Sequence, residues 1–387
     1  MSGIPDGPDE TSGEERMRLL HVVATGTRRG AEVFASDLVG ALGRLGIDQR
    51  VAVLRSTHRA DVRYEAPVFE LGSQWRRMWT GFDPWALRRL RVLIDSWRPH
   101  VVQAHGGEAF ERAVLATIGR NVPVVYRRIG AAPPWLQRLP RRPLYAGLMR
   151  RASRVVTVAD ALRGETVRLF RVPPARVITI PNAVDPARMQ VKTGRREMRL
   201  ALGIPPFAPA SVTVGALVRE KDPLAHLEVA AEVLRRIPTA VHMFVGDGPL
   251  RPQLEAAVVS RNLGDRVRLL GTRDDVADLL AAADVLLFAS REGGMEGMPA
   301  NLIEAGMVGL PVVAYAIAGV PEVIVDGETG FLVRAGDASG LTRRVVELLG
   351  NRRLCDEMGR AAGHRCCSLF DIGAIAPRYL GVYEELT

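Results

Sequence analysis

Long apolar runs and paired cysteines are missing from this sequence, and both absences narrow the class of protein. No stretch reaches the roughly 18 uninterrupted apolar residues that a membrane-spanning helix requires, and the polar residues 1–16 lack the pattern of a signal peptide. The 3 cysteines lie late in the chain without C-x-x-C spacing and give no disulfide framework. We therefore expect a cytoplasmic protein with structural thiols and a disordered lead-in over residues 1–16.

The length and the composition of the chain are those of a large globular protein. Of its 387 residues, 47% are hydrophobic and 25% are charged, which is far from the composition of disordered chains. Because a single core rarely grows beyond roughly 250 to 300 residues, the length favours two domains.

Lysine is scarce, because 2 of the 52 basic residues are Lys and the others are Arg. Positive charge concentrates in residues 76–154, where 16 arginines face 4 acids, and all 5 tryptophans lie in or beside this segment. Arg next to Trp is typical of a surface that rests on anionic lipid headgroups, so residues 75–154 predict peripheral contact with the inner face of the cell membrane. A solvated basic face with tryptophans in the core is the alternative. Neither a helix-turn-helix nor an RNA-binding motif accompanies the charge, which argues against a nucleic-acid partner.

Strand-like apolar runs alternate with helical patterns in two successive series. Such alternation predicts an α/β fold with parallel, doubly wound sheets. We therefore predict two Rossmann-like domains, over residues 17–190 and 191–370, and a final helix over residues 371–387 that crosses back to pack on the first domain. The predicted strands are residues 18–24, 50–54, 100–104, 122–126, 154–158, 177–180, 211–214, 240–245, 267–270, 284–289 and 311–315, and the predicted helices of the second series are residues 223–236, 249–262, 276–282, 299–308, 320–325 and 338–349.

The sharpest chemical signal is a loop and helix start that follow a buried strand of the second domain. Ligands bind beyond the carboxyl ends of such strands. With Pro299 at the first helical position, the amides of Gly297 and Met298 are free to face a phosphate at a positively polarised helix start. Because a carboxylate can accept two hydrogen bonds from vicinal hydroxyls, Glu304 suits a ribose and Glu296 suits the hydroxyls of a transferred sugar. Two ordinary surface charges are the alternative.

Lys221 lies in a glycine-containing loop, residues 215–222, between the first strand of the second domain and a helix. A diphosphate is expected at such a position. A compact ammonium where the chain otherwise uses Arg suggests that the chemistry needs a point charge. An ordinary ion pair with Glu220 or Asp222 in a solvated loop is the alternative.

The first domain places two further features at the same expected cleft edge. The loop 26–32 contains Gly30 and opens a helix, and His105 follows a predicted strand. A histidine here can hydrogen-bond a sugar hydroxyl, act through its backbone carbonyl, or cap the strand. Arg127 and Arg128 are candidates to meet an anionic or lipid-linked acceptor, with a solvated strand end as the alternative.

Seven segments resemble one enzyme family, four of them in the family's order and spacing and three more loosely. They are VGDGPLRPQLE (245–255), LLGTRDDVADLLAAADVLLFAS (269–290), EGMPANLIEA (296–305) and GVPEVIVDGETGFLV (319–333) in the second half, and RGAE (29–32), HVVQAHG (100–106) and VITIPNAVD (177–185) in the first half. With them the chain resembles the family 4 retaining glycosyltransferases of the GT-B fold, from about Arg18 to Thr387. The likeness is specific in the second half and looser in the first, where acceptor recognition usually varies.

The resemblance implies two Rossmann-like domains facing a central cleft and a retaining hexosyltransferase without metal or cofactor. It implies transfer of a hexose-type sugar from a UDP- or GDP-type nucleotide sugar to a glycan, glycolipid or lipid-linked acceptor, in cell-surface polysaccharide or glycoconjugate synthesis. It assigns Glu304 to the ribose and Glu296 to the sugar. It assigns the diphosphate to Lys221 with loop amides, and contact with the donor from the opposite domain to His105. The catalytic set is then His105, Lys221 and Glu296, and the substrate-binding set is Gly30, Arg219, Gly297, Met298 and Glu304.

Two positions depart from the family pattern. Ala216 stands where the family often places an arginine that shares the diphosphate with the lysine, which leaves Arg219 as a candidate by proximity. Residues 292–295 lengthen the loop before Glu296, so Glu292 competes with Glu296 for contact with the sugar.

Three other functions fit parts of the pattern. A dinucleotide-dependent oxidoreductase needs a G-x-G-x-x-G motif after the opening strand, and the sequence has none there. A sugar-nucleotide epimerase of the same architecture needs acids in the first-domain cleft, yet the segment 113–159 is almost devoid of carboxylates. A non-enzymatic, membrane-associated relative is favoured if Ala216 abolishes donor binding.

Overall fold

The computed structural model describes residues 16–55, 61–72, 83–132, 136 and 141–387. Those residues form two parallel sheets, one of 7 strands and one of 6, with helices between the strands. The predicted α/β fold with two Rossmann-like sheets is therefore confirmed. Residues 1–15 of the predicted lead-in, together with Trp75, Trp79 and Trp135 of the basic segment, lie outside the described residues.

The first sheet is parallel throughout. Its strands are β1 (Arg18–Thr25), β2 (Asp48–Arg55), β3 (Val68–Glu70), β4 (Val101–His105), β5 (Val124–Arg128), β6 (Arg154–Thr157) and β7 (Val177–Thr179), and its helices are α1 (Gly30–Arg44), α2 (Pro84–Trp97), α3 (Gly107–Thr117), α4 (Arg141–Met149) and α5 (Asp160–Phe170). The strand order is β3-β2-β1-β4-β5-β6-β7. Strand β4 is buried along its whole length, as is typical of parallel strands covered on both faces.

The second sheet repeats this plan. Its strands are β8 (Ala210–Val214), β9 (Val241–Val245), β10 (Val267–Leu269), β11 (Val285–Phe288), β12 (Val312–Tyr315) and β13 (Gly330–Val333). The helices are α6 (Arg195–Ala201), α7 (Pro223–Arg236), α8 (Arg251–Ser260), α9 (Val276–Ala282), α10 (Ala300–Met307), α11 (Val320–Val323), α12 (Ala338–Gly350), α13 (Arg352–Leu369) and α14 (Ile372–Glu384). The strand order is β10-β9-β8-β11-β12-β13.

Capping residues fix where the helices around the cleft begin. Asp222 precedes α7, and its carboxylate accepts a hydrogen bond from the Ala225 amide at 3.3 Å while Pro223 takes the first helical position. Pro299 differs from its prediction, because its ψ of 124° is extended and makes it the N-cap of α10. The helix therefore starts one residue later than expected, at Ala300.

Four elements were not predicted by the alternation of patterns, namely β3, β13, α13 and the 7-residue helix α6. Strands β3 and β13 have 3 and 4 residues, too few for a period to develop. Helix α13 begins directly after α12, at a polar run in which Asn351 caps the new helix by accepting from the Leu354 amide at 3.1 Å. The predicted helix over 338–349 is thus followed by a second helix in residues that the pattern left unassigned.

The chain crosses between the domains twice, and the two crossings lie side by side. The Val184 amide donates to the Phe370 carbonyl oxygen at 3.0 Å, and the Ile372 amide donates back to the Val184 carbonyl oxygen at 3.1 Å. The predicted domain limits at 190 and 370 lie close to these crossings and stay predictions.

Helix α14 returns to the first domain, as predicted for the end of the chain. The Tyr379 ring lies 5.8 Å from the Phe34 ring of α1, and the Tyr383 hydroxyl donates to the Gln103 side-chain oxygen at 2.9 Å. Both tyrosines are buried, so the second half of the chain completes the core of the first domain. Within the part of the chain that the structure describes, we find no helix with the length and apolar character needed to span a bilayer.

Candidate active site

A cavity of about 390 Å³ lies between the two domains, at the carboxyl ends of their strands. The strand order reverses between β1 and β4 in the first sheet and between β8 and β11 in the second. Such reversal points are where α/β sheets bind ligands, and the predicted central cleft is confirmed. Of the ten predicted site residues, three lie outside the cavity wall, namely Arg128, Arg219 and Glu304, and seven line it, namely Gly30, His105, Arg127, Lys221, Glu296, Gly297 and Met298.

The loop before α10 touches the first domain backbone to backbone. A side chain at Gly297 would overlap the carbonyl oxygen of Ile129. A side chain at Gly130 would likewise overlap the carbonyl oxygen of Met295. The absence of a Cβ at both glycines lets the two domains close on each other at this edge of the cavity.

Lys221 and Glu296 form an ion pair on the cavity wall. The Lys221 ammonium lies 2.5 Å from Glu296 Oε1, with 30% of the lysine side chain and 10% of the glutamate side chain exposed, and 5.7 Å from the centre of the Phe288 ring. Among the described residues, Lys221 therefore pairs with Glu296 rather than with Glu220 or Asp222. The Asp222 carboxylate caps α7 instead. The pair places one cation and one anion beside the start of α10, where a diphosphate and a sugar can meet them.

Glu304 lies one turn into α10, behind the cavity wall. Its carboxylate is 3.5 Å from the Arg188 guanidinium, which also makes a two-pronged contact with Asp37 of α1 at 2.8 and 2.9 Å. Burial raises the pKa of Asp37 although Arg188 opposes the shift. Arg188 therefore joins a carboxylate of the first domain to the predicted ribose-binding carboxylate of the second.

Arg219 and Glu292, the two other candidates for contact with the sugar donor, do not line the cavity. Arg219, two residues before Lys221, is exposed, as is Ala216, and Arg219 does not line the cavity. Glu292 is also exposed and absent from the wall, whereas Glu296 is part of it. The placement therefore favours Glu296 over Glu292 for contact with a sugar, and of Lys221 and Arg219 it puts Lys221 on the cavity wall.

His105 ends β4 at the floor of the cavity. Its ring is 1% exposed, and its Nε2 lies 3.0 Å from Nδ1 of His21 on the neighbouring strand. Burial, with smaller contributions from His21 and Arg127, holds the pKa of His105 well below 6.5. The side chain is therefore a neutral hydrogen-bonding group at neutral pH.

Arg127 and Arg128, both named as candidates for the acceptor, lie in different surroundings, because adjacent residues of β5 point to opposite faces of the sheet. Arg127 lines the cavity, with its guanidinium 3.5 Å from the centre of the Phe34 ring. Arg128 is buried inside the first domain, where it donates to Glu165 at 2.7 Å and to the Leu162 carbonyl oxygen at 3.2 Å. Neither residue is a solvated strand end, and Arg127 alone stays a candidate for the acceptor.

Sequence reasoning did not single out three residues that the structure brings to the site. Asn182 accepts from Arg127 at 2.7 Å and donates to the Met298 carbonyl oxygen at 2.9 Å, so it links the domains through two buried hydrogen bonds. Ser290 is the second residue after β11 and borders the Lys221 loop, and its buried hydroxyl has no hydrogen-bond partner among the described residues. His21 contacts His105 from within β1. The position of Ser290 after a strand was a usable signal, whereas the other two depend on long-range packing.

The described part of the basic segment is mixed in character. Trp85 is 44% exposed on α2, with the Arg88 guanidinium 5.8 Å from its ring. Trp97 at the other end of α2 is partly buried, and Arg50 lies 4.7 Å from its ring. The membrane-surface hypothesis therefore keeps one exposed Trp–Arg pair in the described residues and stays a prediction.

Comparison with known proteins gives the family of the chain. The model of the glycosyl transferases group 1 matches residues 194–365, and the model of Glycosyltransferase Family 4 matches residues 28–188. Between them they cover both domains.

Individual relatives agree with these matches. The chain is 28% identical over 232 residues to N-acetyl-alpha-D-glucosaminyl L-malate synthase of Bacillus anthracis, an alignment of 60% of this chain and 59% of that protein. It is 27% identical over 260 residues, 66% of this chain and 62% of the relative, to the UDP-Gal:alpha-D-GlcNAc-diphosphoundecaprenol alpha-1,3-galactosyltransferase of Escherichia coli. The chain thus spans about three fifths of the length of these relatives.

The fold has a solved counterpart along nearly its whole length. HepE of Anabaena, crystallised in complex with UDP and glucose, superposes with a TM-score of 0.82 at 19% identity over 96% of this chain and 100% of that chain. The matched segments, the two facing parallel sheets and the cavity between them agree with one another. This chain belongs to the family 4 glycosyltransferases and has their GT-B fold.

Proposed function

We propose that this chain is a retaining hexosyltransferase that moves a sugar from a nucleoside-diphosphate sugar to a glycan, glycolipid or lipid-linked acceptor in cell-surface polysaccharide or glycoconjugate synthesis. The observation that carries the proposal is the Lys221–Glu296 pair at the start of α10, on the wall of a cavity shared by both domains. HepE binds UDP and glucose in a fold of the same kind, which supports a UDP-type donor.

The chemistry assigned to the donor side follows from charge. When the glycosidic bond of a nucleotide sugar breaks, negative charge builds on the leaving diphosphate. Lys221 and the amides at the start of α10, at Gly297 and Met298, supply fixed positive potential there, and such preorganised groups stabilise a transition state. Glu304 is assigned to the ribose and Glu296 to hydroxyls of the transferred sugar.

The stereochemical proposal is attack on the face from which the diphosphate leaves, assisted by that phosphate, without a covalent glycosyl-enzyme. This differs from the double-displacement of retaining glycosidases, which use a carboxylate nucleophile. The proposal includes independence of metal ions, because Lys221 and the helix start can offset the charge of the leaving group.

The acceptor is assigned to the side of the cavity built by the first domain. Arg127 is the buried cation of that wall, and Gly30 opens α1 beside it. The Escherichia coli relative acts on a sugar linked to diphosphoundecaprenol, which supports a lipid-linked acceptor here. We accordingly assign the protein to the cytoplasm, with peripheral contact to the inner membrane face through residues 75–154.

The test is a panel of UDP-, GDP- and ADP-sugars, with thermal shift for binding and release of the nucleoside diphosphate for turnover. We expect one nucleotide class to stabilise the protein and to be turned over, with the same rate in EDTA and with retention seen in the NMR spectrum of the product. Glu296→Gln should lower turnover, whereas Glu292→Gln should not. Neither binding nor turnover with any member of the panel contradicts the proposal, and an inverted product contradicts its stereochemical part.

A further inference from the structure

Three buried side chains form a line beneath the floor of the cavity. Gln49 of β2, His21 of β1 and His105 of β4 lie on three neighbouring strands and are 5%, 0% and 1% exposed. His21 Nε2 lies 2.9 Å from Gln49 Oε1, and His21 Nδ1 lies 3.0 Å from His105 Nε2. Only His105 of the three lines the cavity, so the other two act on a substrate through it or not at all.

Both imidazoles are neutral at neutral pH. Burial lowers the pKa of His21 to about 4, with the Gln49 hydrogen bond opposing the shift, and lowers the pKa of His105 well below 6.5. Each ring therefore carries one proton, on one of its two nitrogens. Which nitrogen carries it is decided by the neighbouring hydrogen bonds.

The amide of Gln49 fixes the proton of His21. Gln49 Nε2 donates to the carbonyl oxygen of Val39 in α1 at 2.9 Å, so the side-chain oxygen is the atom that faces His21. An oxygen in that place can only accept. His21 must therefore carry its proton on Nε2, and its Nδ1 is left as a lone pair.

The lone pair on His21 in turn fixes the proton of His105. The hydrogen bond between His21 Nδ1 and His105 Nε2 needs one proton, and His21 carries no proton on Nδ1. His105 must donate from Nε2, and as a neutral ring it then has an unprotonated Nδ1. That Nδ1 has no hydrogen-bond partner among the described residues.

Arg127 has a second unpaired buried atom on the same wall. Its Nε is buried without a hydrogen-bond partner in the described part of the chain, and both residues line the cavity. A hydroxyl is a small group that donates and accepts at once. Because an unpaired buried polar atom is costly, a hydroxyl seated at this floor gains more than it would at an exposed site.

We propose that Gln49 and His21 are positioning residues which hold His105 in its Nε2-protonated tautomer, so that His105 Nδ1 accepts a hydrogen bond from a hydroxyl of the sugar donor. The identity of the ligand rests on the function proposed above, whereas the tautomer rests on the burial of the two rings and on the hydrogen bonds that join Val39, Gln49, His21 and His105. The arrangement selects for a hydroxyl: a donor sugar that lacks it leaves Nδ1 unpaired.

The tautomer is tested without any substrate, by NMR of the full-length protein labelled with 15N-histidine. The chain has 7 histidines, and the ring signals of His21 and His105 are assigned from their loss in His21→Asn and His105→Asn. We expect both rings of the unmodified protein to show a protonated Nε2 and an unprotonated Nδ1. In Gln49→Leu a population of His105 with a protonated Nδ1 should emerge.

Gln103→Leu is the matched control. Gln103 lies on β4 and is buried like Gln49, but its side chain bonds to Tyr383 and to a backbone carbonyl instead of a histidine. Its His105 signals should keep the original tautomer. A protonated Nδ1 of His105 in the unmodified protein overturns the proposal, and that spectrum needs no variant to fold. A Gln49→Leu spectrum with an unchanged tautomer overturns the positioning role.

The consequence for the donor is tested with the nucleotide sugar identified by the panel and with its monodeoxy analogues. Gln49→Leu should raise KM for the full donor about tenfold, the equivalent of one hydrogen bond, with a smaller change in kcat. It should barely change KM for the analogue that lacks the contacted hydroxyl. Equal losses for all donors contradict the contact. If no nucleotide sugar binds, the proposed function and the donor contact fail, while the NMR spectrum still decides the tautomer.

Discussion

Lys221 is one of two lysines in a chain that otherwise uses arginine, and its ammonium lies 2.5 Å from the Glu296 carboxylate. A lysine ammonium is a compact point charge on a flexible stem. It can move from the carboxylate to a diphosphate without the fixed geometry that a guanidinium requires. The sequence singled this residue out by composition, and the structure supplied its partner.

Replacing Lys221 by Met should therefore cost turnover rather than folding. We expect kcat to fall by about 10² to 10³, the usual loss for one preorganised group on a developing negative charge. The measurement is release of nucleoside diphosphate under saturating donor. Lys192→Met is the control: its side chain is exposed and its described hydrogen bond uses the backbone amide, so its kcat should match that of the unmodified protein. A Lys221→Met enzyme of full activity would show that another group carries the charge.

Arg188 connects three elements, since it lies in the short segment Pro186–Met189 and contacts α1 through Asp37 and α10 through Glu304. Asp37 is 4% and Glu304 14% exposed at the side chain. Two carboxylates this well covered need a cation between them. The contact ties the position of α10, and with it the predicted ribose residue, to the first domain.

Arg188→Gln should lower the free energy of unfolding by about 3 kcal/mol at pH 7, near the low end for a broken buried pair because Arg188 itself is partly exposed. Asp37 already has a raised pKa from burial, and loss of the guanidinium should raise it further. A carboxyl whose pKa is raised in the folded state contributes less to stability as the pH rises from its unfolded-state pKa to its folded-state pKa. The deficit should therefore be largest near pH 7 and shrink as the pH falls toward 3.8, the ordinary value for Asp.

Urea titrations at pH 7 and at pH 4.5 measure this difference. Arg44→Gln serves as the control, because Arg44 is exposed and lies 4.0 Å from Asp185, and its effect should stay below about 0.5 kcal/mol at both values. An Arg188→Gln deficit that grows on acidification would contradict the assignment to Asp37.

Closure of the loop before α10 depends on Gly130 and Gly297, where a Cβ has no room. Gly130→Ala should hold the two domains apart at this edge and reduce kcat/KM at least tenfold, because small misplacements of a catalytic group are costly. Kinetics and small-angle scattering report the two effects. Gly164→Ala in α5, where an added methyl has open space around it, should leave kcat/KM unchanged and stabilise the helix slightly. Full activity in Gly130→Ala would mean that catalysis does not need this contact.

At the scale of the whole molecule, positive charge is concentrated on one domain. Residues 76–154 hold 16 arginines and 4 acids, and the described residues keep one exposed Trp–Arg pair, Trp85 with Arg88, on α2. A surface of this kind is attracted to anionic headgroups over about a Debye length and loses that attraction in salt.

We therefore expect the protein to float with liposomes that contain phosphatidylglycerol and to be released by about 0.5 M NaCl, where screening is strong. Trp85→Ser with Arg88→Glu should weaken flotation several-fold. Arg353→Glu on α13 is the control, since Arg353 is 88% exposed at the side chain in the other domain. Flotation that is the same with and without anionic lipid, or unaffected by salt, would contradict membrane contact through this segment.

The sequence predicted elements best where a local pattern is long. Helices α7 and α9 have the predicted limits, because period and caps together define them. Strands β3 and β13 were not predicted because they are short. Helix α13 was not predicted because its first residues are polar and show no apolar period. At the site, Lys221 and Glu296 were found from their place after strands, whereas Asn182 and His21 were not, because their importance comes from partners more than 80 positions away.

What the sequence alone determined is the fold class, the two-domain plan and the family motifs that follow the strands, since these depend on periodicity and on spacing along the chain. What only the tertiary structure decided is which side chains meet across the cleft. Of the two arginines considered for the acceptor, Arg128 is buried against Glu165 and does not line the cavity, whereas Arg127 does. Glu296 lines the cavity and Glu292 does not, and Gln49 lies two strands from His105 but contacts it through His21. Packing between distant residues sets burial, charge and proton positions, and no local pattern carries that information.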